Sequence, residues 1–124
     1  MIVVKKAKTS KDFKDFVNFP FDLYKNSKYW VPPISKEELN TIDKSKNPVF
    51  KNAEAEFFLA YKKNKIVGRI AAIVNLVEVK EQNKNKLMFG WYDVIDYIEV
   101  SKKLMDEVIR FGKESIKKRK KKEY

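Results

Sequence analysis

Three carboxylates spaced three residues apart, Asp93, Asp96 and Glu99, are the side chains whose pattern most suggests chemistry. Paired carboxylates can transfer protons or hold a divalent cation, but cation sites need more converging oxygen donors than this segment carries. Asp96 followed three residues later by Glu99 also has the spacing of a helix capping box. We therefore expect a capped helix start and no metal site, with acid–base chemistry as the alternative.

Histidine and cysteine are both absent from the sequence. Their absence excludes thiol nucleophiles, disulfides, Cys/His zinc sites and every catalytic triad that uses an imidazole base. Any general base would have to be Asp, Glu, Lys, Tyr or a bound water.

The chain is strongly basic, with a formal net charge of +11. Residues 117–124 contain six basic side chains and one acidic side chain, so nearly half of the excess charge belongs to this terminal segment. Clustered lysines neutralise phosphates and release counterions, which makes a small module that binds nucleic acid or another acidic surface one candidate class. Exposed lysine is common on ordinary surfaces, so we favour solvated charge and a frayed basic tail.

A length of 124 residues allows one domain with one hydrophobic core, which we assign to residues 1–116. The β-branched run at residues 2–4 predicts a strand, and Thr9 with Asp12 predicts a capped helix start directly after it. Apolar residues then recur at helical spacing, and Pro20 is expected to split this helix.

The connector Tyr29-Trp30-Val31-Pro32-Pro33 is expected to be extended, because the residue before each proline is pushed away from helical conformation. Ser35 with Glu38 predicts a second capping box and a short helix that ends near Ile42. The dipeptide Asn47-Pro48 then marks a turn.

A change of apolar period from helical to two predicts a strand from Ala55 to Lys62, which Lys63-Asn64-Lys65 turns into a second strand. This return strand, Ile66 to Asn75, is rich in Ile, Val and Ala and should be buried on both faces. Together with the helices the hairpin predicts an α+β fold with a mixed, mainly antiparallel sheet.

The polar residues 78–86 predict an exposed loop, and residues 87–92 a third strand of this sheet. An apolar stripe from Val100 to Phe111 predicts a final helix that ends between Gly112 and Ser115.

Nothing in the sequence resembles a membrane span, since the longest apolar stretch is interrupted by Gly68, Arg69 and Asn75. At the N-terminus the apolar residues precede the lysines, which is the reverse of a secretory signal. We expect a cytoplasmic protein with no membrane partner.

Several separated motifs between Val4 and Lys113 resemble the N-terminal region of a poorly characterised bacterial family of GNAT-like proteins, within the N-acetyltransferase superfamily. The motifs occur in the same order as the predicted elements, which match the first two thirds of that fold. They are Phe19-Pro20-Phe21-Asp22-Leu23-Tyr24-Lys25, Tyr29-Trp30-Val31-Pro32-Pro33, Lys46-Asn47-Pro48-Val49-Phe50, Phe58-Leu59-Ala60-Tyr61, Val67-Gly68-Arg69-Ile70-Ala71-Ala72-Ile73 and Phe89-Gly90-Trp91-Tyr92-Asp93.

The resemblance implies a partial GNAT-like fold whose later strands are missing from this chain, and acetyl-CoA or another acyl-CoA as the implied cofactor. In that superfamily the acyl-CoA lies where the fourth strand ends and the next helix begins, with backbone amides around the pyrophosphate. The resemblance therefore implies a cofactor site at Tyr92, Asp93, Val94 and Asp96. This segment contains no glycine and carries three carboxylates, which makes it a poor phosphate site.

The resemblance gives Glu78 and Tyr92 as the candidate catalytic residues, with Glu81 near them at the substrate end of the sheet. The acid that later strands contribute has no counterpart here, so we expect the chain to be catalytically inactive alone. Two alternatives stay open: an acyl-CoA-dependent N-acyltransferase completed by another chain or a dimer, and the basic binding module. An open sheet edge also predicts self-association, or pairing with the missing part of the fold.

Overall fold

The computed structural model describes residues 1–51, 53–75 and 87–122 and has the α+β architecture that the sequence predicts. A four-stranded sheet lies between two helices on one face and one long helix on the other. The elements are β1 (Ile2–Lys6), α1 (Ser10–Leu23), α2 (Ser35–Ile42), a 3-10 helix (Pro48–Lys51), β2 (Ala53–Lys62), β3 (Lys65–Asn75), β4 (Leu87–Val94) and α3 (Ile98–Lys122).

The strands follow one another across the sheet in chain order, β1-β2-β3-β4, and every pairing between the described strands is antiparallel. The predicted hairpin is confirmed as β2 and β3. Lys63 and Asn64 form its two-residue turn with φ angles of 51° and 66°, the left-handed pair that a type I′ hairpin turn requires. The predicted third strand is confirmed as β4.

Alternating residues of β2 build two separate cores, as the period of two predicted. Phe57 and Leu59 are buried under α1 and α2, whereas Phe58 and Ala60 are buried under α3. β3 lies between its neighbours and is buried on both faces, which explains its nearly continuous apolar sequence.

A capping box starts α1, as the sequence predicted. The Asp12 amide donates to the Thr9 hydroxyl at 3.1 Å, and the Thr9 amide donates to the Asp12 carboxylate at 3.1 Å. The amides of Lys8 and Thr9, which both donate to this carboxylate, hold the pKa of Asp12 below its usual value.

The predicted split of α1 at Pro20 is wrong, since the helix runs without interruption to Leu23. A proline inside a helix has no N–H to donate to the carbonyl four residues earlier, here that of Phe16. The structure satisfies that carbonyl from outside the helix, with the guanidinium of Arg69.

The short helix α2 ends at Ile42 as predicted, but the predicted capping box at Ser35 and Glu38 is wrong. Ile34 occupies the N-cap position and makes no side-chain cap hydrogen bond. The carboxylate of Glu38 is turned toward the sheet, where it accepts the indole N–H of Trp91 at 3.1 Å.

The capping box predicted at Asp96 and Glu99 is also wrong. α3 begins at Ile98, so Asp96 lies one residue too early to be its N-cap. Glu99 instead faces Lys103 one turn later, with Nζ and Oε1 3.8 Å apart.

The predicted end of the last helix near Gly112 is wrong, because α3 continues to Lys122 and includes residues 117–122 of the expected basic tail. Gly112 does not end the helix and instead packs against the side chain of Leu87. A Cβ atom at this position would lie 2.6 Å from the side chain of Leu87, so a larger residue would require that side chain to shift. None of the helices in the described ranges is long and apolar enough to cross a membrane.

Candidate functional site

A buried ion pair between β3 and β4 also makes hydrogen bonds to α1. Arg69 and Asp93 face each other directly across the two strands. Nε and an Nη atom of Arg69 lie 2.9 and 2.8 Å from the same Oδ2 atom of Asp93, and Arg69 is only 8% exposed. Burial lowers the pKa of the Arg69 guanidinium, the Asp93 carboxylate opposes that shift, and arginine stays charged.

Phe16 of α1 and Tyr24, the residue directly after this helix, make further contacts with the ion pair. The other Nη atom of Arg69 donates to the Phe16 carbonyl at 2.8 Å, and the guanidinium carbon lies 5.0 Å from the centre of the Phe16 ring. The hydroxyl of Tyr24 donates to Oδ1 of Asp93 at 2.6 Å. That hydrogen bond and partial burial raise the pKa of Tyr24 to about 12, so the phenol stays protonated at neutral pH.

A β-bulge in β4 decides which side chains meet this cluster. Asp93 pairs with Arg69 and Gly90 pairs with Ala71, so the two residues Trp91 and Tyr92 lie opposite one residue of β3. The extra residue shifts the alternation of the strand by one position. As a result Asp93 faces α1; in a regular strand it would face α3.

Trp91 adopts an unfavourable backbone conformation within this bulge. Its φ angle is 47°, in the left-handed region that a bulky residue rarely adopts. Its indole N–H donates to Glu38, and its ring packs edge-on against Phe57 at 6.2 Å between centroids. These contacts with α2 and β2 hold the side chain in place despite the unfavourable backbone.

The aromatic residues of the connector pack beside the same cluster. The Trp30 ring contacts Phe21 edge-on at 5.2 Å and lies 5.5 Å from the Tyr24 ring. Tyr24 therefore joins the connector to the ion pair, since its ring contacts Trp30 while its hydroxyl contacts Asp93.

The four predicted cofactor residues do not converge on one surface. Tyr92 is half-buried on the α3 side, where its ring contacts Phe89 edge-on at 5.9 Å. Val94 packs on that side too, against the core under α3. Asp93 points to the opposite side, toward α1, and Asp96 is exposed in the short link to α3. The predicted catalytic residue Glu78 and its neighbour Glu81 lie outside the described residues.

The link between β4 and α3 places several of its backbone amides in internal hydrogen bonds. The amides of Ile95, Tyr97 and Val100 donate to the carbonyls of Val67, Ile95 and Tyr97 at 2.7 to 3.1 Å. Gly68 lets α3 start this close to the sheet, because a Cβ there would lie 2.9 Å from Val100 and Leu104. These three amides are therefore already used and do not face a phosphate group as free donors.

One of the three carboxylates predicted to repel a phosphate is neutralised. Asp93 is paired with Arg69 and turned away from the start of α3, which leaves Asp96 on this link and Glu99 in the first turn of the helix. In the described part of the chain no three acidic side chains lie close enough together to hold a metal ion.

The central residues of the site, Arg69 and Tyr24, were absent from the sequence-based candidates. A signal for Arg69 was present: lysine outnumbers arginine 25 to 3, and this arginine interrupts the most apolar strand of the chain. Arginine is the cation that proteins use for buried, bidentate ion pairs. Tyr24 had no such signal, because its partner Asp93 is 69 residues away in sequence.

Comparison with known proteins shows limited similarity to two bacterial proteins. The chain is 33% identical over 85 residues to Protein YghO of Escherichia coli, a match that covers 68% of this chain and 22% of that protein. It is 32% identical over 69 residues to a bacterial ceramide synthase of Caulobacter vibrioides, which covers 56% of this chain and 18% of that protein. The matched part spans only about a fifth of each relative. No protein-family profile and no solved structure matches significantly.

Proposed function

We propose that this chain supplies the N-terminal part of a GNAT-like N-acyltransferase and is catalytically inactive by itself. The acyl thioester binds at the corner between β4 and α3, next to the bulge at Trp91 and Tyr92. The buried Arg69–Asp93 pair holds the bulged strand against α1. Further polypeptide, from the same chain or a second one, completes the site beyond the outer edge of β4.

The observation that carries the proposal is the strained bulge. A non-glycine residue at a φ of 47° costs free energy, and such residues persist where the surrounding structure fixes them, often next to functional sites. The bulge also interrupts the strand at its outer edge, where β4 has no partner strand among the described elements. The open edge of the described β4 therefore lies beside the position where the resemblance expects the acyl donor.

The name of one relative agrees with this chemical class. A ceramide is an amide of an amino alcohol, so a ceramide synthase forms an amide bond between an acyl group and an amine. N-acyl transfer from a thioester forms the same bond. The matched part covers 18% of that relative, and its name agrees with the transfer to an amine that we propose.

The groups around the Arg69–Asp93 pair support the proposed inactivity of the chain alone. Asp93 is committed to Arg69 and Tyr24, and the phenol of Tyr24 is held protonated with a pKa of about 12. Tyr92 is packed against α3. None of these side chains of the described fold is placed to take a proton from an attacking amine at neutral pH.

Calorimetric titration of the monomeric chain with acetyl-CoA tests the proposed inactivity. Monomeric state is checked by light scattering in the same buffer. We expect no saturable heat at micromolar ligand, because the described residues of this corner form neither a phosphate-binding loop nor a second wall. A monomer that binds acetyl-CoA with a micromolar Kd would contradict the claim that further polypeptide is needed.

A further inference from the structure

The connector between α1 and α2 exposes three large apolar side chains close together in sequence. Tyr29 is 93% exposed, Val31 is 84% exposed and Ile34 is 62% exposed. Single apolar residues on a surface are ordinary, but three within six residues form a patch that a water-facing surface does not need.

The connector is held so that these side chains cannot fold inward. Trp30, between Tyr29 and Val31, packs against Phe21 and Tyr24. Pro32 and Pro33 follow, and each fixes its own φ angle and restricts the residue before it. The anchored Trp30 and the two prolines therefore restrict the backbone that carries these exposed side chains.

Three lysines lie in or beside the connector in sequence. Lys25, Lys28 and Lys36 flank it and are all exposed, and no acidic residue lies between Lys25 and Lys36. The nearest carboxylates in sequence, Asp22 and Glu37, belong to the flanking helices. An apolar, aromatic patch edged by lysines is complementary to a lipid surface that carries anionic headgroups.

We propose that this connector, residues 25–36, is a membrane-surface contact that seats Tyr29, Val31 and Ile34 at the boundary between headgroups and acyl chains of an anionic bilayer. Tyrosine prefers this boundary because its ring is apolar and its hydroxyl reaches water. Lys25, Lys28 and Lys36 contact the headgroups. This proposal departs from the sequence-based expectation of no membrane partner. The contact lies on the membrane and does not cross it, which agrees with the helices described above.

A bilayer fits this segment better than a folded partner does. The apolar side chains are highly exposed on a connector without helix or strand, so a rigid partner would need a cavity that matches each of them. A bilayer adapts its surface to a projecting segment and supplies the negative charge. The inference is independent of the proposed acyl transfer, because lipid binding is measured without acyl-CoA.

Sedimentation of the whole chain with phosphatidylcholine vesicles, with and without phosphatidylglycerol, tests the proposal. We expect binding to the vesicles that contain phosphatidylglycerol, and weaker binding as salt rises. The triple variant Tyr29→Ser, Val31→Ser, Ile34→Ser should bind at least about tenfold more weakly. Replacing Lys25, Lys28 and Lys36 by Gln should weaken binding about fivefold per lysine.

Two matched controls distinguish lipid binding by the connector from binding by other exposed apolar or charged side chains. Ile98→Ser removes an apolar side chain that is 84% exposed, like Val31, but at the start of α3. Lys63→Gln removes an exposed lysine from the hairpin turn. Both variants should bind vesicles like the original chain, and circular dichroism should show that every variant is folded.

Three results would overturn the proposal. The first is unchanged vesicle binding by the triple serine variant. The second is binding that survives in that variant and disappears when residues 117–124 are deleted, which would assign the lipid contact to the basic tail. The third is a dimer in light scattering that the triple variant dissociates while vesicle binding stays the same, which would make a second copy the occupant.

Discussion

Arg69 donates a hydrogen bond to the carbonyl of Phe16, the one carbonyl of α1 that Pro20 leaves without a helical donor. The guanidinium of Arg69, a residue of β3, therefore connects three elements. It donates to the α1 carbonyl that lacks a helical donor, and it pairs with Asp93 on β4. The proline and the arginine depend on each other, since an unpaired carbonyl beside an unpaired buried cation would be costly.

Replacing Arg69 with Leu should lower the free energy of unfolding by about 3–5 kcal/mol, because it leaves the Asp93 carboxylate buried without its partner. Urea denaturation of both proteins measures the difference. Arg110→Leu is the matched control, since Arg110 pairs with Glu107 on the surface of α3 and should contribute less than about 1 kcal/mol. Equal losses in the two variants would show that the buried pair has no special role.

The hydroxyl of Tyr24 should make stability depend on pH in the alkaline range. Its pKa is raised from 10.0 to about 12 in the folded state, so its contribution is complete below pH 10 and is lost as the pH rises from 10 to about 12. Tyr24→Phe should lower stability by about 1.5 kcal/mol at neutral pH, the lower end of the range for a hydrogen bond to a charged group. The difference from the original protein should shrink between pH 10 and 11.5 in urea titrations. A constant difference across that range would contradict the assigned hydrogen bond.

Two glycines of the sheet should respond oppositely to alanine. A Cβ at Gly68 would lie 2.9 Å from Val100 and Leu104, so Gly68→Ala should cost about 1–3 kcal/mol through overpacking against α3. A Cβ at Gly90 meets nothing within 4 Å and its φ is not positive, so Gly90→Ala should be neutral or slightly stabilising. Thermal and urea unfolding of both variants checks the contrast, and a destabilised Gly90→Ala would contradict the described bulge geometry.

The outer edge of β4 should make the chain self-associate. Met88 and Phe89 are 37% and 53% exposed on this strand, and β4 pairs only with β3 among the described elements. Light scattering over a concentration series should show association that Phe89→Lys weakens about tenfold, a change of 1.4 kcal/mol. Ile109→Lys, at a 48% exposed position on α3, is the control. A chain that stays monomeric at every concentration would contradict the prediction.

The sequence predicts those parts of the fold that depend on local pattern. The hairpin is one example, because an apolar period of two and a two-residue turn are contained in residues 53–75. The start of α1 is another, since Thr9 and Asp12 satisfy each other within one helical turn. The two capping boxes that were predicted wrongly contain residue types that often start helices. In the structure the Glu38 carboxylate instead accepts a hydrogen bond from Trp91, on a strand that is distant in sequence.

The site was unpredictable from sequence because it depends on long-range compensation. The continuity of α1 through Pro20 needs a donor that lies 53 residues beyond Phe16. The direction of Asp93 depends on a bulge two residues earlier, whose strained backbone is held by contacts with α2 and β2. Residue type gave Asp93 as a candidate, but only the register of β4 shows that it faces Arg69.

Amide NMR of the whole, isotope-labelled chain during titration with acetyl-CoA tests the central claim most directly, since it shows where a weakly bound acyl donor lies. We expect weak, non-saturating shifts concentrated at the amides of residues 90–98, around the bulge and the start of α3. ATP is the control for phosphate attraction to lysines and should leave the amides of Gly90 to Tyr92 unmoved. An absence of shifts at residues 90–98, or identical shifts with ATP, would contradict an acyl-donor site at this corner.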